Sequence, residues 1–170
     1  MESSAEIVNR VAQSPLLLLD LEDHYPQGER VLYDLKENLW QGLALKEKDF
    51  RAWLKTHDWQ QYQDKYVALH CSTDAIIPTW AYMLWTVHAT PYAKKIVVGT
   101  LEDLEKAIFL DFIEQLDLSA YHDKKVVVKG CSRLPVPLLA YTSLTARLQP
   151  IVQSLFFGEP CSTVPLYKRK

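Results

Sequence analysis

Three short runs decide the fold: YVALHC at 66–71, KIVVG at 95–99 and KVVVK at 125–129. Each is apolar and β-rich, and the stretches between them are long enough to hold a helix. The first gap carries a largely apolar helical pattern from about Asp74 to Thr86. The second carries Leu101, Leu104, Ile108, Phe112 and Leu116 on one helical face, with Thr100-x-x-Asp103 as a capping box at its start. A further helix follows Pro137. Strand–helix alternation of this kind implies parallel strands joined by right-handed crossovers.

Working back toward the N-terminus, Leu16–Leu21, Arg30–Leu35 and Leu39–Leu45 read as three strands. The connections YPQGE and KEN hold Pro26, Gly28 and Asn38, so the pattern predicts an antiparallel meander. Phe50, Trp53, Leu54 and Trp59 then mark a helix from about Glu47 to Tyr62, and Ile7, Val8 and Val11 place a peripheral helix within residues 1–14. The expected architecture is a single α/β domain spanning 1–170. Its mixed sheet begins with the meander and continues as a parallel β-α-β-α-β-α half, with helices packed on the sheet. No segment repeats at a fixed period.

Composition narrows the chemistry. The five glycines are scattered through the 170 residues, so neither a G-x-G-x-x-G turn nor a P-loop exists. Nineteen Lys and Arg against 21 Asp and Glu leave a net charge of −2, which argues against a nucleic-acid partner or an anionic membrane surface. The most apolar run, Ile76 to Val87, is shorter than the roughly 20 residues a membrane helix needs. Residues 1–10 lack the apolar core of a signal peptide, and three cysteines make an odd number. The expectation is a cytoplasmic protein with reduced thiols.

Those cysteines, Cys71, Cys131 and Cys161, are each followed by serine. Cys71 and Cys131 each close a strand, and in one parallel sheet both would emerge on the same edge, where ligands gather. Cys161 could return there after the last helix. Three thiolates at one place would suit zinc or an iron–sulfur cluster, because soft ligands select those metals. Asp74 is the candidate fourth ligand. His70, next to Cys71 in the strand, points to the opposite side of the sheet. A helix N-terminus following Cys71 would lower its thiol pKa and favour the ligating thiolate. Metal binding in an accessory role is therefore the first functional expectation. The second is a cysteine-dependent enzyme or sulfur carrier using Cys71. The third is a non-catalytic interaction domain with buried cysteines and a homodimer contact through the Trp80–Trp85 helix.

No G-x-S-x-G elbow and no H-E-x-x-H helix occurs. His24, His57, His70, His88 and His122 read as structural, the Leu19–Asp23 acids as a solvated strand end, and Lys168–Lys170 as a short basic tail. Three longer features carry a resemblance: D-W-x-x-Y at Asp58, Trp59 and Tyr62, the run C-S-x-D-A-I-x-P-x-W-A-Y from Cys71, and G-E-P-C-S-T-V-P ending at Pro165. With these the chain resembles the domain of unknown function 2480 family from about Leu19 to Lys168. The resemblance implies a small bacterial cytosolic protein without an assigned activity, and iron–sulfur assembly proteins as partners.

Overall fold

A computed structural model describes residues 16–130, 133–159 and 161–170, and its fold is mixed α/β. The strands are β1 (Leu16–Leu19), β2 (Arg30–Asp34), β3 (Tyr66–His70), β4 (Lys95–Val98), β5 (Lys125–Val128), β6 (Ser154–Glu159) and β7 (Ser162–Lys168). The helices are α1 (Glu47–Thr56), α2 (Thr79–Ala89), α3 (Leu101–Gln115) and α4 (Leu138–Leu148). The described residues form two compact units: Pro26–Asp111, and 16–25 with 112–170. The peripheral helix expected in 1–14 lies outside the described residues.

The parallel strands of the second half are present, but the strands divide into two sheets. One is β2-β3-β4, parallel throughout; the other is β1-β5-β6-β7, parallel except for β7. The antiparallel meander is corrected, because β1 pairs with β5 and β2 with β3. Its third strand is absent: Gln41 and Gly42 adopt positive φ, and the chain closes on itself in an isolated Trp40–Ala44 bridge. The clue was that β1 is apolar at every position, a run typical of parallel strands, where a meander strand would alternate. A C-terminal hairpin of β6 and β7 adds an antiparallel pair that the apolar runs do not announce. Pro165 disguised β7, and it is tolerated there because β7 is an edge strand.

The sequence repeats after all, at a spacing of 59. That shift carries Tyr62, Asp64, Pro78, Ala81, Tyr82 and Gly99 onto Tyr121, Asp123, Pro137, Ala140, Tyr141 and Gly158. It also carries the pairing Tyr66↔Lys95 onto Lys125↔Ser154. Backbone detail follows the same rule. Asp64 and Asp123 sit at φ 58° and 56°, and their N–H groups donate to Tyr92 O and Ile151 O, both at 2.9 Å. Asp58 accepts from Gln60 N at 3.1 Å and Asp117 from Ser119 N at 2.9 Å, the same side-chain-to-backbone turn at the start of each 3-10 segment. The first strands are related by a shift of 14, which places Leu16↔Lys125 where Arg30↔Tyr66 stands. Asp34 then accepts from Lys36 N at 3.0 Å, and Asp20 from Glu22 N at 2.9 Å. The chain is one β-β-α-β unit built twice, β2-β3-α2-β4 and β1-β5-α4-β6.

In the Pro26–Asp111 unit, β3 sends Val67 and Leu69 toward α2 and Ala68 toward Leu104 and Ile108 of α3. Around Val67 and Leu69 lies a core containing Phe50, Leu54, Trp59, Tyr62 and Trp85. Burying a large apolar side chain of this kind contributes about 1.5–3 kcal/mol. The expected capping box of α3 is present. Asp103 N donates to Thr100 Oγ1 at 3.2 Å, and Thr100 N donates to Asp103 Oδ2 at 2.9 Å.

Candidate functional site

Cys71 follows β3, the central strand of its sheet, and packs half-buried against the aromatic core on the α2 side. Its Sγ lies 3.3 Å from Thr73 Oγ1 and 3.6 Å from Thr73 O, so a thiol proton has an acceptor in the bend that follows. The helix N-terminus expected beside it is farther along: Pro78 restricts Ile77 to extended backbone, and α2 starts only at Thr79. The dipole of α2 therefore does not reach the Cys71 thiol. Burial, and next the charge of Cys71, raise the Tyr82 hydroxyl above its ordinary pKa.

His70 takes the opposite side of the sheet from Cys71, as the strand alternation predicts, with Nε2 3.6 Å from Asp34 Oδ2. Asp34 Oδ1 also accepts from Ser72 N at 3.0 Å, tying the bend to the end of β2. Burial pushes the Asp34 carboxyl up, but hydrogen bonds from Ser72 and Lys36 and the charge of His70 outweigh it and hold the pKa at about 2. The duplicate of this pair is Asp20 Oδ2 with Lys129 Nζ, 2.5 Å apart. Both carboxylates anchor the ends of neighbouring strands and have their partners, which marks them as architectural.

Asp74 stands exposed in the bend after Cys71. Cys161 is exposed between β6 and β7, which corrects the expectation of buried cysteines. Cys131 lies outside the described residues. No group of three or more His, Cys, Asp or Glu side chains that could hold a metal ion occurs among the described residues. The premise behind a shared thiol centre was one sheet delivering Cys71 and Cys131 to one edge, and these residues follow strands of different sheets. Nor are the two thiols equivalent in the duplication: the shift of 59 sets Cys71 against Gly130 and Ser72 against Cys131.

The outward face of α2 is a second candidate surface. Ala81, Trp85 and Ala89 are fully buried, so the tryptophan at 85 belongs to the core. On the opposite side Met83 is 64% exposed and Val87 67%, beside Val98 at 58%. Together with Thr79, Tyr82 and Thr86 they line an open apolar groove of about 480 Å³. The signal was in the sequence: Thr79, Met83 and Val87 recur every four residues, and α2 contains no Asp, Glu, Lys or Arg.

Among the described residues, no helix is long and apolar enough to cross a membrane. Residues 5–169 match the model of a family described as protein of unknown function (DUF2480). No curated protein and no solved structure matches the chain.

Proposed function

The chain belongs to the DUF2480 family, and on that footing we propose that it is a non-catalytic interaction module that binds a second copy of itself through the outward face of α2. The observation that carries this reading is the exposed surface of Met83 and Val87, on a helix without Asp, Glu, Lys or Arg, beside Val98 of β4. Exposed apolar surface of this kind marks association sites. A two-fold contact sets the same patch against its own image, so a face without like charges is one that self-association tolerates. A cytoplasmic setting belongs to the same reading, since Cys71 and Cys161 are both unpaired thiols and Cys161 is exposed.

The zinc or iron–sulfur reading of Cys71, Cys131, Cys161 and Asp74, with iron–sulfur assembly proteins as partners, retains the C-S motifs as its support. Sedimentation of the full chain across a range of concentrations tests the proposal. The expected result is a reversible dimer that the double variant Met83→Lys/Val87→Lys abolishes without changing the circular dichroism spectrum. A wild type that stays monomeric overturns the proposal. So does one equivalent of zinc or iron in protein purified without chelator, if alkylating the thiols releases it, because that result returns the function to the cysteines.

A further inference from the structure

The duplication supplies an internal standard for each sheet edge, and the two units differ at one of them. Strands β1 and β2, which are equivalent, both stand at an edge. The opposite edges are not alike. The outer side of β6 is taken by β7, antiparallel from Ser154↔Lys168 to Glu159↔Ser162. Its counterpart β4 pairs with β3 alone among the described residues. Burial follows: Ser154 and Leu155 are 4% and 0% exposed, whereas the equivalent Lys95 and Ile96 are only half-buried. An uncovered strand edge is a template for pairing with another chain.

The groove on α2 sits beside this open edge, since Val98 of β4 lines it. In the unit whose edge is closed, the positions of Thr79, Met83 and Val87 are held by Leu138, Thr142 and Ala146. The larger apolar pair at 83 and 87 thus accompanies the missing strand. Lys95, the one charge on β4, is held 2.5 Å from Asp111.

We infer that β4 is the seam of the homodimer: β4 of one chain pairs antiparallel with β4 of a second copy, forming a continuous six-stranded sheet with the two α2 grooves meeting along one face. This rests on the α2 reading above and adds the backbone pairing to it. Register follows from strand geometry. Residues directly opposite in an antiparallel pair point to the same face. Ile96 packs on the α2 side and Val97 on the α3 side. A two-fold through Val97 therefore sets Ile96 against Val98 of the second copy, both on the α2 face. No like charges then stand opposite each other, because Lys95 meets Gly99. Gly99 N donates to Leu69 O, so by alternation the amides of Ile96 and Val98 point outward, to the seam.

The test combines sedimentation with residue-resolved hydrogen exchange on the full chain. Wild type is expected to be dimeric, with the Ile96 and Val98 amides protected. Val98→Lys and, independently, Met83→Lys are expected to raise the dimer dissociation constant roughly 30-fold or more, the loss of a central interface residue. Both variants should also release protection at Ile96 and Val98 while leaving Val67 and Leu69 protected. Should wild type dimerise and Met83→Lys break the dimer while Ile96 and Val98 exchange freely throughout, the seam is wrong and the α2 face stands. A wild type that never dimerises overturns both.

Discussion

The β2-β3-α2-β4 and β1-β5-α4-β6 units share a backbone and solve the packing problem differently. Trp59 and Trp85 of the first occupy the positions of Leu118 and Leu144 in the second, and all four are buried. Ala89 stands opposite Leu148 in the same comparison, so volume lost at one site is recovered at another. The first unit uses its larger side chains to hold an aromatic cluster, with Trp85 5.3 Å from Trp59 and 5.2 Å from Tyr62 in edge-to-face contact. The second extends its sheet with β7 instead. A duplicated fold keeps turns, caps and strand register, because these are backbone requirements. The core need only conserve apolar volume.

The largest expected effect tests that contrast in the core. Trp85→Ala should cost about 3–5 kcal/mol and Leu144→Ala about 2–5 kcal/mol, measured by urea unfolding, with Trp85 the more costly of the two. The indole Nε1 of Trp85 has no hydrogen-bond partner among the described residues. Trp85→Phe should therefore recover most of the loss, since no bonded donor is removed. A greater loss at Leu144 would place the stability in the four-stranded sheet and break the comparison.

Next come the two equivalent glycines. Gly99 and Gly158 both hold positive φ, 140° and 125°, which a side chain strains. A Cβ at 158 would lie 2.6 Å from the backbone oxygen of Ser162, whereas at 99 it would lie 2.7 Å from the Asp103 carboxylate. Each alanine should cost about 1–3 kcal/mol. Gly158→Ala should cost more, because a backbone cannot rotate away as a side chain can. Equal melting temperatures for the two variants would show that β7 yields as easily as Asp103 does.

The smallest effect is at the strand-end carboxylates. The folded Asp34 pKa of about 2 lies below the ordinary 3.8, so its contribution is complete above about pH 4 and is lost as pH falls toward 2. Asp34→Asn should flatten that part of the acid dependence in urea midpoints taken between pH 5 and 2. An unchanged acid limb would show that the Ser72 and Lys36 bonds do not distinguish the folded carboxylate.

Much of the local structure was legible. The apolar runs located β3, β4 and β5, the Thr100 and Asp103 pair marked the start of α3, and alternation placed His70 away from Cys71. The start of α2 was misplaced because the apolar run from Ala75 outweighed Pro78, which forbids the helix before it. The duplication escaped notice because core substitutions such as Trp59 for Leu118 erase similarity while the shared Asp, Pro and Gly positions are sparse. The cysteines stand outside the repeat: a serine follows each of them, yet the register of the duplication sets Cys71 against Gly130.

The amino-acid sequence by itself determined the α/β class, the absence of phosphate-cradling glycine loops and the uncharged apolar character of α2. Periodicity and turn chemistry are local, and each is written in neighbouring residues. Only the tertiary structure decided that β1 joins β5, 109 positions away, and that β4 is left with one open edge among the described residues. Strands bind through backbone N–H and C=O groups that every residue carries. A run such as KIVV therefore declares itself a strand while saying nothing about which strand, or whose, lies beside it.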